Sequence, residues 1–239
     1  MIVVMKKNNL VLIGLFFLLC IALFSLNSSH DDSTSANTEQ TSQKVVIIDA
    51  GHGGEDPGAV SDYSGIKEKD INLAIAKNVK DLLEQENYRV IMTRDEDRLE
   101  YSSETRNIIQ KRKEDLLRRK KIMDEGGANI VVSIHLNKFP QTQYFGAQTF
   151  FPPASQESMK LAQSIQASIR QTVDPENKRE ALVKKEPIII LKDSKTTTAI
   201  VECGFLSNPE EEKKLGDTDY QIKLAAAIKD GINGYFANK

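Results

Sequence analysis

Val45-Val46-Ile47-Ile48-Asp49-Ala50-Gly51-His52-Gly53-Gly54 is the stretch that decides the reading of this chain. A short apolar run bounded by turn residues reads as a buried strand, and this one passes straight into a histidine among glycines. A second run, Ile130-Val131-Val132-Ser133-Ile134, ends the same way in His135-Leu136-Asn137. Imidazole is the commonest neutral metal ligand, and the carboxyl ends of strands in an α/β sheet are where sites assemble. His52 and His135, the two histidines of the folded part, are therefore expected to face one crevice.

Working outward, further apolar runs alternate with amphipathic segments, the pattern of a single α/β domain with a central, mostly parallel sheet of about six strands flanked by helices. Strands are expected at Val45–Asp49, Tyr88–Thr93, Ile130–Ile134, Ala147–Phe151, Pro187–Leu191 and Ala199–Glu202. Helices are expected at Glu68–Glu86, Glu104–Asp124, Ser155–Gln171 and Tyr220–Phe236. The first places Ile71, Ala74, Ile75, Val79, Leu82 and Leu83 on one stripe. The second carries Lys111, Arg112, Lys113, Arg118, Arg119, Lys120 and Lys121, which read either as a solvated face relieved by Glu114 and Asp115 or as a basic rim that draws an anionic polymer.

The chain has 239 residues, 40% apolar and 28% charged, enough for one core of ordinary size. A net charge of -2 and a pI near 6.0 give no general pull toward nucleic acid. The N-terminus departs from this average: Lys6 and Lys7 precede an apolar run from Leu10 to Leu26. Residues 1–27 thus read as an export signal, either cleaved or retained as a membrane anchor, and place the rest outside the cytoplasm. Phe17-Leu18-Leu19 before Cys20 lacks the small residues that lipid attachment requires. Residues 28–43 have almost nothing to bury and read as a disordered polar tether, leaving 44–239 as the folded domain. Cys203 is alone in that domain and reads as a small core residue beside a site.

A catalytic zinc takes three protein ligands and leaves a position for water, so two histidines leave one ligand to find. Glu68 follows a turn-rich loop, Asp56-Pro57-Gly58-Ala59 to Gly65, and opens a helix; the helix dipole alone would also favour an acid there. Glu202 ends the apolar run Ala199-Ile200-Val201. A buried-strand carboxylate is costly unless exposed, paired or used. Moving a proton between water and a leaving amine is one such use, and an ion pair or a loop amide another.

Four segments together resemble the zinc-dependent N-acetylmuramoyl-L-alanine amidases of type 3. They are Val46–Ala59, Glu68-Lys69-Asp70-Ile71-Asn72-Leu73, Ser133–Asn137 and Val201-Glu202-Cys203-Gly204-Phe205-Leu206-Ser207-Asn208. The resemblance spans essentially the whole domain in order, where Gly-His-Gly-Gly alone would be weak. It implies one zinc held by His52, Glu68 and His135, with Glu202 as catalytic acid/base. The implied reaction is hydrolysis of the amide between N-acetylmuramic acid and L-alanine in peptidoglycan.

Within that family the short N-terminal segment, the lack of wall-binding repeats and the insert from Tyr101-Ser102 to Leu116 are most similar to germination-specific spore-cortex amidases. That likeness implies a product on the way to muramic-δ-lactam. Asp124 and Thr197 depart from the Asn and Pro of many relatives, and 177–186 matches nothing recognisable in the family. A vegetative autolysin, another exported zinc carboxypeptidase and an inactive wall-binding module are the alternatives. The absence of binding repeats also leaves room for an accessory protein.

Overall fold

The computed structural model describes residues 43–186 and 188–239; the expected leader and nearly all of the tether lie outside the described residues. β1 (Val45–Ala50), α1 (Glu68–Gln85), β2 (Arg89–Met92), α2 (Ile108–Glu125) and β3 (Ile130–Asn137) form the first half. β4 (Gln148–Phe151), α3 (Gln156–Thr172), β5 (Leu182–Val183), a 3-10 turn (Ile189–Leu191), β6 (Thr197–Phe205), α4 (Pro209–Leu215) and α5 (Thr218–Ala237) complete it. The strands make one sheet in the order β2-β1-β3-β6-β4-β5. β2, β1, β3 and β6 are parallel, and β4 runs antiparallel to β6 with β5 parallel to β4.

The apolar runs are continuous because helices cover both faces of the sheet, and strand alternation divides them. Val46, Ile48 and Ala50, Ile130, Val132 and Ile134, and Ala199, Val201 and Cys203 all enter one large core with α1, α3 and α5. Ile71, Ile75, Val79 and Leu83 bring the expected stripe of α1 to that core, each fully buried side chain contributing about 1.5–3 kcal/mol. The intervening residues Ile47, Val131 and Ile200 face the opposite way, into a small cluster with Met123 of α2 and Ile190 and Leu191. Period two then places Asp49, Ser133, His135 and Glu202 beyond them on that second side. One face of the sheet ends in hydrocarbon and the other in chemistry.

Several boundaries differ from the sequence reading. The run at Pro187–Leu191 was expected as a strand, but the ladder beside β6 is taken by β4. Ile189–Leu191 instead winds into a 3-10 turn that buries both Ile190 and Leu191 against the small cluster. The outer strand is the two-residue β5 within the unmatched loop. α2 begins at Ile108 rather than Glu104, because the Asn107 side chain accepts from the Ile109 N–H and caps it there. α4 was not expected, although Asn208 as cap, Pro209 at the first position and Glu210 to Glu212 in the first turn are its sequence signals.

Candidate metal centre and active site

The crevice lies over the carboxyl-terminal parts of β1, β3 and β6. His52 sits in a left-handed conformation with φ 62°, a strained choice for a non-glycine residue. The turn holds it there: Gly53 and Asp56 exchange backbone hydrogen bonds, and Arg119 Nη2 donates to the His52 carbonyl at 2.7 Å. His135 lies near the end of the β3 ladder, two residues before its last, and a Cβ on Gly51 would lie 2.3 Å from its ring, so only glycine fits the first turn. Glu68, the first residue of α1, swings its carboxylate between the two rings.

The donor atoms of His52, Glu68 and His135 all lie within 4.8 Å of one another. Glu68 Oε1 is 3.3 Å from His52 Nε2 and 3.0 Å from His135 Nδ1. The same oxygen accepts from the Leu136 N–H at 3.0 Å and from Asn72 Nδ2 at 3.2 Å, while Oε2 accepts from the Ala59 N–H at 2.8 Å. Burial opposes the Glu68 charge, but hydrogen bonds to His135 and His52 and the charge of those imidazoles outweigh it and hold the carboxyl far below its usual range. On His52, burial alone would disfavour the cation; hydrogen bonds to Asp56 and Glu68 carry its pKa up to about 9. Two imidazole nitrogens and a carboxylate oxygen, converged and held by neighbours, are a donor set that fits a small divalent cation.

Asp56 was not singled out from the sequence, and it completes this arrangement. Its Oδ2 is 2.9 Å from His52 Nδ1 and its Oδ1 is 2.6 Å from Arg112. A carboxylate on the outer ring nitrogen fixes the tautomer and leaves Nε2 free to bind. The available signal was its position four residues past His52 in a glycine turn.

Beneath the turn lies a buried charge network that the sequence reading of the basic helix overlooked. Arg119 donates to Asp49 Oδ1 at 2.9 Å, to Asp115 Oδ2 at 2.6 Å and to the Ala50 carbonyl at 2.6 Å. Asp49 also accepts from Thr93 Oγ1 and Ser133 Oγ at 2.6 and 2.5 Å. Burial would raise the Asp49 pKa, but Arg119, then His135, Ser133 and Thr93, bring it down to about 2. Arg94, equally buried, donates to the carbonyls of Ala50, Gly51 and Lys69. The expected solvated face of α2 is thus corrected: Asp115 and Arg119 are interior, and Lys111 and Arg112 engage Glu55 and Asp56 of the His52 turn. Lys113 and Lys121 remain outward.

Glu202 is placed opposite His135 by the β3–β6 register and lines the same cleft, of about 200 Å³, with His52, Leu99, Arg112, Leu116 and Ile188. It is 7% exposed, its Oε1 is 3.7 Å from Lys184 Nζ, and its Oε2 has no hydrogen-bond partner among the described residues. Burial pushes its carboxyl above the usual range, with His135 and Lys184 pulling the other way. Lys184, from the loop that matched nothing in sequence, leans on the Phe150 ring at 4.6 Å. Cys203 points to the opposite core, fully buried, and burial raises its thiol pKa; it packs, as expected.

A converged His-Glu-His donor set beside a buried, partly unsatisfied glutamate, at the strand ends of an α/β sheet, is the arrangement of a metal-assisted hydrolase. Residues 46–234 match the sequence model of the N-acetylmuramoyl-L-alanine amidases, and the chain belongs to that family. It is 35% identical over 234 residues to the germination-specific N-acetylmuramoyl-L-alanine amidase of Bacillus subtilis (strain 168), covering 98% of this chain and 97% of the relative. It is 26% identical to the amidase AmiA of Escherichia coli (strain K12), over 88% of this chain and 82% of that one. Among solved structures it is similar to the CwlD amidase of Clostridioides difficile in complex with the GerS lipoprotein, with a TM-score of 0.80 and 44% identity. That match covers 82% of this chain and all of the other.

Proposed function

We propose that this amidase acts on peptidoglycan of the spore cortex, outside the cytoplasm, with zinc held by His52, Glu68 and His135. The observation that carries the metal assignment is the convergence of these three side chains within 4.8 Å. An ion there supplies Lewis acidity, polarising a carbonyl and lowering the pKa of water. Glu202 accepts a proton from the water that attacks the lactyl carbonyl, and returns it to the L-alanine nitrogen as the C–N bond breaks. Water thus adds its oxygen to the lactyl carbon and its hydrogens to the two products. A carboxyl raised by burial suits both halves of that transfer. Lys184 limits the rise and steadies Oε1, while Asp56 and Arg119 fix the His52 turn.

The cortex assignment rests on the similarity to the germination-specific enzyme over nearly the full length of both chains. Residues 1–27 act as export signal or anchor and 28–43 as tether; no helix among the described residues is long and apolar enough to cross a membrane. The relative solved with a lipoprotein supports an accessory protein here as well. The test is to incubate the zinc-loaded full chain with cortex peptidoglycan and to delete its gene in the parent organism. Peptides with a free L-alanine amine, and spores lacking muramic-δ-lactam in the deletion, are expected. Normal lactam in those spores would move the chain to vegetative wall turnover.

A further inference from the structure

Five aromatic side chains are exposed among the described residues, and four of them, Tyr63, Phe139, Tyr144 and Phe145, gather at one rim of the site. Phe139 meets Tyr144 edge-on at 5.5 Å, and both rest on Phe205, at 5.4 and 6.2 Å. Ser207 ties the patch together: its carbonyl accepts from Tyr63 Oη and its Oγ from the Phe139 N–H, each at 3.1 Å. Arg179 pins the Phe145 carbonyl at 2.6 Å while its guanidinium lies 4.7 Å over Phe205. The Phe139 and Tyr144 rings are thus backed by Phe205, Tyr63 is tied by its hydroxyl and Phe145 by its main chain, while all four side chains stay exposed.

This rim is continuous with the metal centre. Phe139 is four residues past His135, at most about 14 Å of chain. Lys138 Nζ donates to the Val60 carbonyl at 2.7 Å, next to Ala59, whose N–H holds Glu68. The catalytic cleft opens elsewhere, between Glu202, Leu99 and α2, so a substrate with two arms has a place for each.

Given the amidase reading, on which this rests, we propose that Tyr63, Phe139, Tyr144 and Phe145 form a platform for the glycan strand, with the stem peptide leaving through the cleft. Sugar rings offer apolar C–H faces and hydroxyl edges, which suits open aromatic faces rimmed by Lys138, Arg179 and Asn208. Tyr, Phe and Arg are also common at protein interfaces. What favours the glycan is that the rim runs into the metal centre, through Phe139 after His135 and Lys138 against Val60, where the muramoyl end of the substrate lies. A protein partner is the outcome in which strand affinity does not change.

The test compares the full chain, zinc-loaded, with its Phe139→Ala/Phe145→Ala variant. Affinity for peptide-free glycan strands should fall roughly tenfold, the scale of one or two lost ring contacts. KM for intact peptidoglycan should rise with kcat kept, while KM for a single-sugar muropeptide stays put. Phe139→Tyr/Phe145→Tyr should restore strand affinity. Phe145→Ala alone repeats the measurement should the double variant not fold. Unchanged strand affinity, or an equal KM rise on the single-sugar substrate, overturns the proposal and assigns the patch to something other than glycan. Strand binding is read without hydrolysis, so a chain that bound strands yet released no peptide would count against the amidase reading and not against the platform.

Discussion

The two faces of the sheet are built on different physical terms. On the side of α1, α3 and α5, β1, β3 and β6 contribute hydrocarbon and a buried thiol. Packing makes up most of the contact there, with scattered single hydrogen bonds such as Asn72 Nδ2 to the Gly51 carbonyl and the Thr198 N–H to Ser158 Oγ. On the side of α2 the apolar cluster is small, and the space nearest the site is filled by Asp49, Asp115, Arg119, Arg94, Thr93 and Ser133, paired throughout. Apolar packing tolerates small shifts of the layers, whereas a buried carboxylate–guanidinium network fixes atoms by direction as well as distance. The network grips the carbonyls of Ala50, Gly51 and His52, so the face that positions the chemistry is the one held by hydrogen bonds.

That contrast sets the order of expected effects. Glu202→Gln, on the polar face, should keep zinc and lower kcat by about 10²–10⁴-fold, the scale of lost proton transfer; peptide release from peptidoglycan measures it, and near-normal turnover would remove the acid/base role. Arg119→Leu strands two buried carboxylates, so urea unfolding should lose about 3–5 kcal/mol, and zinc affinity should fall with it because the His52 turn is released. Lowering pH tests the same network. Asp49 has a folded pKa of about 2 against 3.8 ordinarily, so its contribution is complete above about pH 4 and is lost as pH falls through about 2. That loss is about 2 kcal/mol, and Asp49→Asn should remove this part of the acid dependence. Ile75→Val, on the apolar face, should cost about 0.5–1.5 kcal/mol and leave zinc affinity unchanged; a shift in zinc affinity there would erase the distinction between the faces.

The sequence carried the apolar face and the strand ends well, because continuous runs such as Val45–Ile48 and Ile130–Ile134 have few other ways to be buried. Glu68 was legible as an acid opening a helix after a turn-rich loop, and Glu202 as a charge at the mouth of a strand. The polar face was much less so. Arg119 and Asp115 sit within a charge run, and nothing local separates a guanidinium turned inward from six other basic groups nearby in sequence; its partner Asp49 is 70 residues away. Lys184 acts through a tertiary contact of the same kind, as does Asp56 toward Arg112, whereas the bond of Asp56 to His52 is local. The strand expected at Pro187–Leu191 was a misreading because strand and 3-10 turn bury a short apolar segment equally well, and only the occupancy of the ladder beside β6 by β4 decides between them.

The most direct measurement is zinc bound per chain at equilibrium for the wild type and for His52→Ala, Glu68→Gln and His135→Ala, with folding checked by circular dichroism. The account predicts one zinc per chain in the wild type and loss of it in each folded variant. Full zinc occupancy in any of the three would contradict the assignment of that residue as a ligand.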